Sequence, residues 1–148
     1  MVGPQFGAPV DGLIYADRPA AFGLAVKNGL IALVEVKKPR QAAWVDLPGG
    51  AIDGDETAQT AVEREFGEET GLLVAADEPF AFADQRFRNT DGAAFNNRGV
   101  FFQVEVHGED AGLKIEVDHT LIWLRPEAAL RRLRHEAHAW AVTAWMRL

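Results

Sequence analysis

The stretch Leu47–Leu72, LPGGAIDGDETAQTAVEREFGEETGL, leaves its backbone few options. Pro48 and two glycines open it. Thr57, or Asp55 just before it, can cap a helix with a side-chain oxygen, and Gly71 can end that helix in the left-handed conformation. The spacing predicts a helix over Thr57–Thr70. At about 100° per residue, Glu68 and Glu69 lie about −60° and +40° from Glu65, so the three share one face. Glu63 falls far round, toward solvent. Val62 and Phe66 flank the acidic face and can pin the helix to a sheet. Like charges three or four apart cost about 0.2–0.5 kcal/mol per pair, so this face asks for a cation. Mg2+ takes oxygen ligands, the glycines let backbone carbonyls approach, and Arg64 can hold a neighbouring carboxylate in place.

The rest of the chain surrounds this helix with strands. Phe22–Val26 and Leu30–Val36 read as strands joined at Asn28-Gly29, a hairpin signal because both residues tolerate positive φ. A loop is expected over Pro39–Gly50 with a short strand at Trp44–Leu47, and further short strands at Leu72–Ala75 and Phe80–Phe87. VFFQVEV alternates, with Val100, Phe102, Val104 and Val106 on one side, and HTLIWL is a further strand. Pro126 can open a final helix, where Leu130, Leu133, Ala137, Ala141, Ala144 and Leu148 form one apolar stripe. Residues 1–19 are rich in Gly and Pro and are expected to be an irregular arm. Strands and helices mix without a regular βαβ rhythm, which predicts an α+β domain whose helices cover a mixed sheet.

A chain of 148 residues, 48% apolar, is expected to form one domain with a real core. Its net charge of −7 disfavours nucleic acid and anionic membranes as partners. The absence of cysteine excludes disulfides, thiolate zinc and a cysteine nucleophile. The first residues lack a signal-peptide pattern and no apolar run is long enough to span a bilayer, so a cytoplasmic protein, monomer or homodimer, is expected.

Gly50, five residues, Glu56, seven residues, Arg64-Glu65-Phe66-Gly67-Glu68-Glu69-Thr70-Gly71-Leu72 resembles the Nudix box at every defining position. Seven fixed identities and two apolar slots give a chance match of about 10⁻⁹ per starting position. The upstream hairpin, the W..LPGG run and the closing strand and helix are also similar to Nudix domains. The resemblance implies an α/β/α sandwich with a mixed sheet, and hydrolysis of a nucleoside diphosphate linked to another moiety with Mg2+ or Mn2+. By motif position the metal ligands would be Glu65, Glu68 and Glu69 with the Gly49 carbonyl. Arg64 would orient Glu65, and Glu56 would brace the loop or join a metal shell. The general base varies within the family between a box glutamate, here Glu68 first, and an acid on a later loop. Glu116 and Asp118, just before HTLIWL, are the favoured positions, with His119 a weaker option.

Outside the box, Arg86, Arg88 and Arg98 flank the expected substrate side and are candidate phosphate contacts. Arg131, Arg132 and Arg134 read as a solvated face, and the four tryptophans as core or rim packing. A non-catalytic nucleotide-binding module is the alternative, but no box glutamate is missing. Isopentenyl diphosphate isomerase shares the fold but relies on a cysteine. RNA 5′-end removal is disfavoured by the acidic balance. The proline that ADP-ribose hydrolases of the family often carry beyond the box, the tyrosine of dinucleoside polyphosphate hydrolases and the coenzyme A signature are all absent. A nucleoside triphosphate or nucleotide sugar is left by elimination.

Overall fold

The computed structural model describes residues 2–148. Its strands are β1 (Gln5–Phe6), β2 (Ala16–Lys27), β3 (Leu30–Val36), β4 (Trp44–Asp46), β5 (Gly49–Ala51), β6 (Leu72–Arg88), β7 (Ala94–Glu109) and β8 (His119–Leu124). Its helices are α1 (Ala58–Thr70), α2 (Pro126–Arg132) and α3 (Glu136–Met146). The strand order is β1-β6-β7-β2-β3-β4, with β5 on β2 and β8 on β3. The sheet is mixed: β2 runs parallel to β7, and β1 parallel to β6, while the other pairs are antiparallel. Asn28 and Gly29, at φ 53° and 76°, make the turn between β2 and β3. Only Val26 and Lys27 pair across that hairpin. Beyond it the strands part, and β5 takes the place beside β2.

Alternation sends successive residues of β2 and β7 into opposite layers. Ala20, Phe22, Leu24 and Phe101 join Ala137, Ala141 and Val142 of α3 in one cluster. Ala21, Ala25, Phe102 and Val104 join Ala61, Val62 and Phe66 of α1 in the other. The result is the expected helix–sheet–helix sandwich. Gly23 allows the close approach on the α1 side, since a Cβ there would lie 2.5 Å from the Phe66 ring. Among the described residues no helix is long and apolar enough to cross a membrane.

Four expectations are corrected. The N-terminal arm contributes β1 and the first residues of β2, held by pairing with β6 and β7 rather than by local propensity. Leu72–Ala75 and Phe80–Phe87 are one long strand, interrupted only by irregular pairing between Leu73 and Ala81. Pro48-Gly49-Gly50 leads not into an open loop but into β5. The final helix is broken. Leu133 and Arg134 leave the helical path because their backbone pairs with Val45, Arg134 N donating to Val45 O at 2.9 Å. The predicted stripe therefore spans two helices, and Leu148 at its end is exposed.

Candidate active site

Local geometry fixes the acidic helix first. Thr57 caps α1, its Oγ1 accepting from Thr60 N at 3.1 Å, and Gly71 closes it at φ 78°. The C-terminal half of α1 lies against β5. Gly49 sits at φ 146°, where a Cβ would lie 2.2 Å from the Ala21 carbonyl oxygen, so no larger residue fits. Its N–H donates to Glu69 Oε1 at 3.0 Å. A Cβ at Gly50 would lie 2.9 Å from Glu65 Oε1. The two glycines thus bring backbone directly under two box carboxylates.

Arg64 answers much of the charge repulsion that the sequence poses. Its Nη2 and Nε donate to the two oxygens of Glu56 at 2.7 and 3.1 Å. Its Nη1 donates to Glu65 at 3.2 Å and Glu68 at 3.0 Å. Asp53 stands 3.2 Å from Nη2, and the Ala51 carbonyl accepts from it at 3.2 Å. Expected to hold one carboxylate, this guanidinium holds four. Glu63 also departs from expectation: its Oε2 accepts from Ala76 N at 2.8 Å and braces the irregular part of β6. The wheel cannot see that partner, because it comes from another strand.

Glu69 is only 6% exposed. Burial pushes its carboxyl well above the usual range, against the pull of the Gly49 N–H. Burial also raises Glu65, partly offset by Arg64. Two crowded carboxyls at one end of a helix, beside the glycine backbone of β5, form an all-oxygen donor set that suits a hard cation.

A second acidic group faces this end of the helix. Ile115 N and Glu116 N both donate to the Glu68 carbonyl, at 2.9 and 3.0 Å, so the loop before β8 is tied to α1. Asp118 is gripped by Lys38, and its other oxygen lies 2.7 Å from His119 Nδ1. The Lys38 bond is the main cause that holds the Asp118 carboxyl down at about 2. His119 Nε2 lies 3.4 Å from Glu69 Oε2, which links the loop to the box. Among the described residues, the trio whose ligand atoms all lie within 4.8 Å of one another is Glu116, Asp118 and His119, not the three box glutamates. Arg64 draws Glu65 and Glu68 one way while Gly49 and His119 hold Glu69 another.

From Gly49 and Glu69 a cavity of about 180 Å³ runs between β2, β7 and the break between α2 and α3, with Arg18, Trp44, Phe87, Asn97 and Arg134 in its walls. Arg86, Arg88 and Arg98 do not line it. They neighbour Phe87 and Asn97 along their strands, and alternation turns them to the opposite face. There Arg86 donates to the Gly7 carbonyl at 3.1 Å, and Arg98 pairs with Asp84 at 2.8 Å. Arg134, expected on a solvated face, instead pairs with Asp46 at 2.8 Å and lies 4.5 Å over the Trp44 ring. Arg18 was hidden in the expected arm. His135 and His138 are buried in the cavity wall, His138 Nδ1 accepting from Leu47 N at 3.2 Å. Burial lowers both, His135 to about 3.

A family model described as the NUDIX domain matches residues 17–146. A MutT-like protein of Streptomyces ambofaciens is 44% identical over 46 residues, which span 31% of this chain and 29% of that protein. A NUDIX hydrolase from Nitrosomonas europaea superposes with a TM-score of 0.73 at 16% identity, over 88% of this chain and 89% of that one. A MutT protein from Methanosarcina mazei Go1 gives a TM-score of 0.66 at 20% identity, over 92% and 97% of the two chains. At these identities the solved structures show a shared fold.

Proposed function

The chain belongs to the NUDIX family, whose pyrophosphohydrolase box it carries entire, and we propose that it hydrolyses a diphosphate linkage in a nucleoside diphosphate derivative with Mg2+ or Mn2+. The observation that carries this reading is the buried Glu69 beside Glu65, two carboxyls that burial crowds together where the backbone of Gly49 and Gly50 lies against them. Such a donor set fits a divalent ion. Glu65, Glu68, Glu69 and the Gly49 carbonyl would hold it, with Glu56 in support. Bound there, the ion supplies Lewis-acid stabilisation of phosphoryl oxygens.

The chain's own residues supply the rest. Gly49 N–H and His119 orient Glu69. Arg64 fixes the directions of Glu56, Glu65 and Glu68 with one rigid fork. Glu116 is the favoured base. Both Asp118 oxygens are engaged, by Lys38 and His119, whereas the Glu116 carboxylate accepts no hydrogen bond among the described residues. It can take the proton of a water attacking phosphorus and pass it to solvent. Lys38 and Asp118 then act together to position the loop and His119. A non-catalytic nucleotide-binding module remains the alternative class, and the intact box argues against it. A cytoplasmic enzyme, monomeric or homodimeric, accords with a nucleotide substrate.

The test is turnover of a panel of nucleoside diphosphate derivatives with Mg2+ in ¹⁸O-labelled water, products read by mass. One labelled phosphate or nucleotide product is expected for at least one substrate. Tight binding across the panel with no cleavage would select the sensing module.

A further inference from the structure

Arg18 stands out among the cations of the cavity wall. Arg134 is neutralised by Asp46, and Lys38 by Asp118. Arg18 is half-buried and forms no ion pair with any described residue. Its Nε donates to Asn97 Oδ1 at 2.8 Å, which sets the plane of the guanidinium and spends the one nitrogen outside its terminal fork. Its Cζ lies over the rings of Phe95 at 4.9 Å and Phe87 at 5.3 Å. Asn97 is itself buried on β7, so the platform is rigid. A guanidinium pre-oriented in this way, its two terminal nitrogens uncommitted, matches the geometry of an oxyanion.

The surroundings select the class of group. One face of each neighbouring ring is taken by a cation: Phe87 and Phe95 by Arg18, Trp44 by Arg134. The cavity, about 180 Å³, falls below the roughly 300–1,000 Å³ that engulfs a drug-sized ligand. It is small, and Arg18 and Arg134 share its wall with Gly49 and Glu69. We propose that Arg18 is a specificity-determining residue that takes a phosphate group of the substrate lying outside the scissile linkage. Resting on the hydrolase reading, this deepens it: the preferred substrate is a nucleoside derivative with at least one phosphate more than the two that the cleaved bond joins, rather than a nucleotide sugar with an uncharged sugar.

The experiment uses the full chain and two readouts. In EDTA, where no turnover occurs, tripolyphosphate is the probe and the thermal shift is the signal. Wild type and Arg131→Gln, an exposed arginine outside the cavity, should show the same stabilisation. Arg18→Gln should bind the probe about tenfold or more weakly, the loss expected for a charge-assisted pair, and Arg18→Lys should fall between. With Mg2+, Arg18→Gln should raise KM for a nucleoside triphosphate by a similar factor while leaving kcat, and KM for a nucleotide sugar, within a few-fold. The melting temperature without probe reports folding separately. If Arg18→Gln lowers that temperature but keeps the full probe-induced shift, Arg18 is only a support for Phe87 and Phe95 and the proposal is overturned. Equal KM changes for both substrates would overturn it too. Absence of turnover by wild type would sink the hydrolase reading and leave the EDTA result standing on its own.

Discussion

At the scale of single residues, the site is organised by where protons and charges are held. Glu69 is a carboxyl raised well above its usual range by burial. Such a group favours folding while protonated, and that contribution is lost as pH rises from the unfolded value, about 4.3 for Glu, through the raised folded value. In EDTA, Glu69→Gln should therefore be more stable than wild type, by a margin that grows with pH across this window. Melts at several pH values check it, and a margin that shrinks with pH would contradict the burial argument. Added Mg2+ should stabilise wild type more than the variant. Asp118 has the opposite sign. Held at about 2 by Lys38, it stabilises the fold above its ordinary 3.8 and loses that effect as pH falls toward 2. Asp118→Asn should flatten this acid limb of the stability profile. Glu116→Gln should leave the limb in place and lower kcat by about a hundredfold or more, as for loss of a general base. If kcat survives Glu116→Gln, the base lies elsewhere, with Glu68 the first residue to examine.

At the scale of elements, what sequence reveals depends on whether the determinant is local. The hairpin at Asn28-Gly29, the caps Thr57 and Gly71, and the span of α1 are set by neighbours in the chain, and all were legible. β5, the strand register at Ala16–Pro19 and the break at Leu133–Arg134 are set by partners far away, namely Ala20–Phe22, β7 and Val45. No periodicity records those. The same distinction explains the site: the box glutamates were legible as one face, but the roles of Arg18, Arg134 and Glu63 depend on Asn97, Asp46 and Ala76. Contact between β5 and α1 gives a sharp prediction. In Gly50→Ala the new Cβ meets only the tip of Glu65, which can move, so melting temperature should change by a few degrees at most. Displacing that carboxylate by about 1 Å should cost about a hundredfold in kcat. Gly49→Ala meets the backbone of Ala21 instead and should fold poorly. Equal stability losses in the two variants would mean that β5 does not carry the site.

At the scale of the whole molecule, two helical layers clamp a sheet that splits between β2 and β3, and the split is where β5 brings glycine backbone to the acidic end of α1. Pattern and composition specified the layers; the opening between the strands, which makes room for both carboxylates and cavity, follows from β5 displacing β3 at the side of β2. In the proposed function this opening holds the divalent ion whose occupation turns hydrolysis on. The direct measurement is turnover of a responsive nucleoside diphosphate derivative by metal-stripped protein, titrated with Mg2+ and paired with Glu69→Gln. No turnover is expected in EDTA, with full recovery on titration for wild type and recovery reduced by about a hundredfold or more in the variant. Turnover that persists in excess EDTA, or a variant that recovers like wild type, would contradict that function.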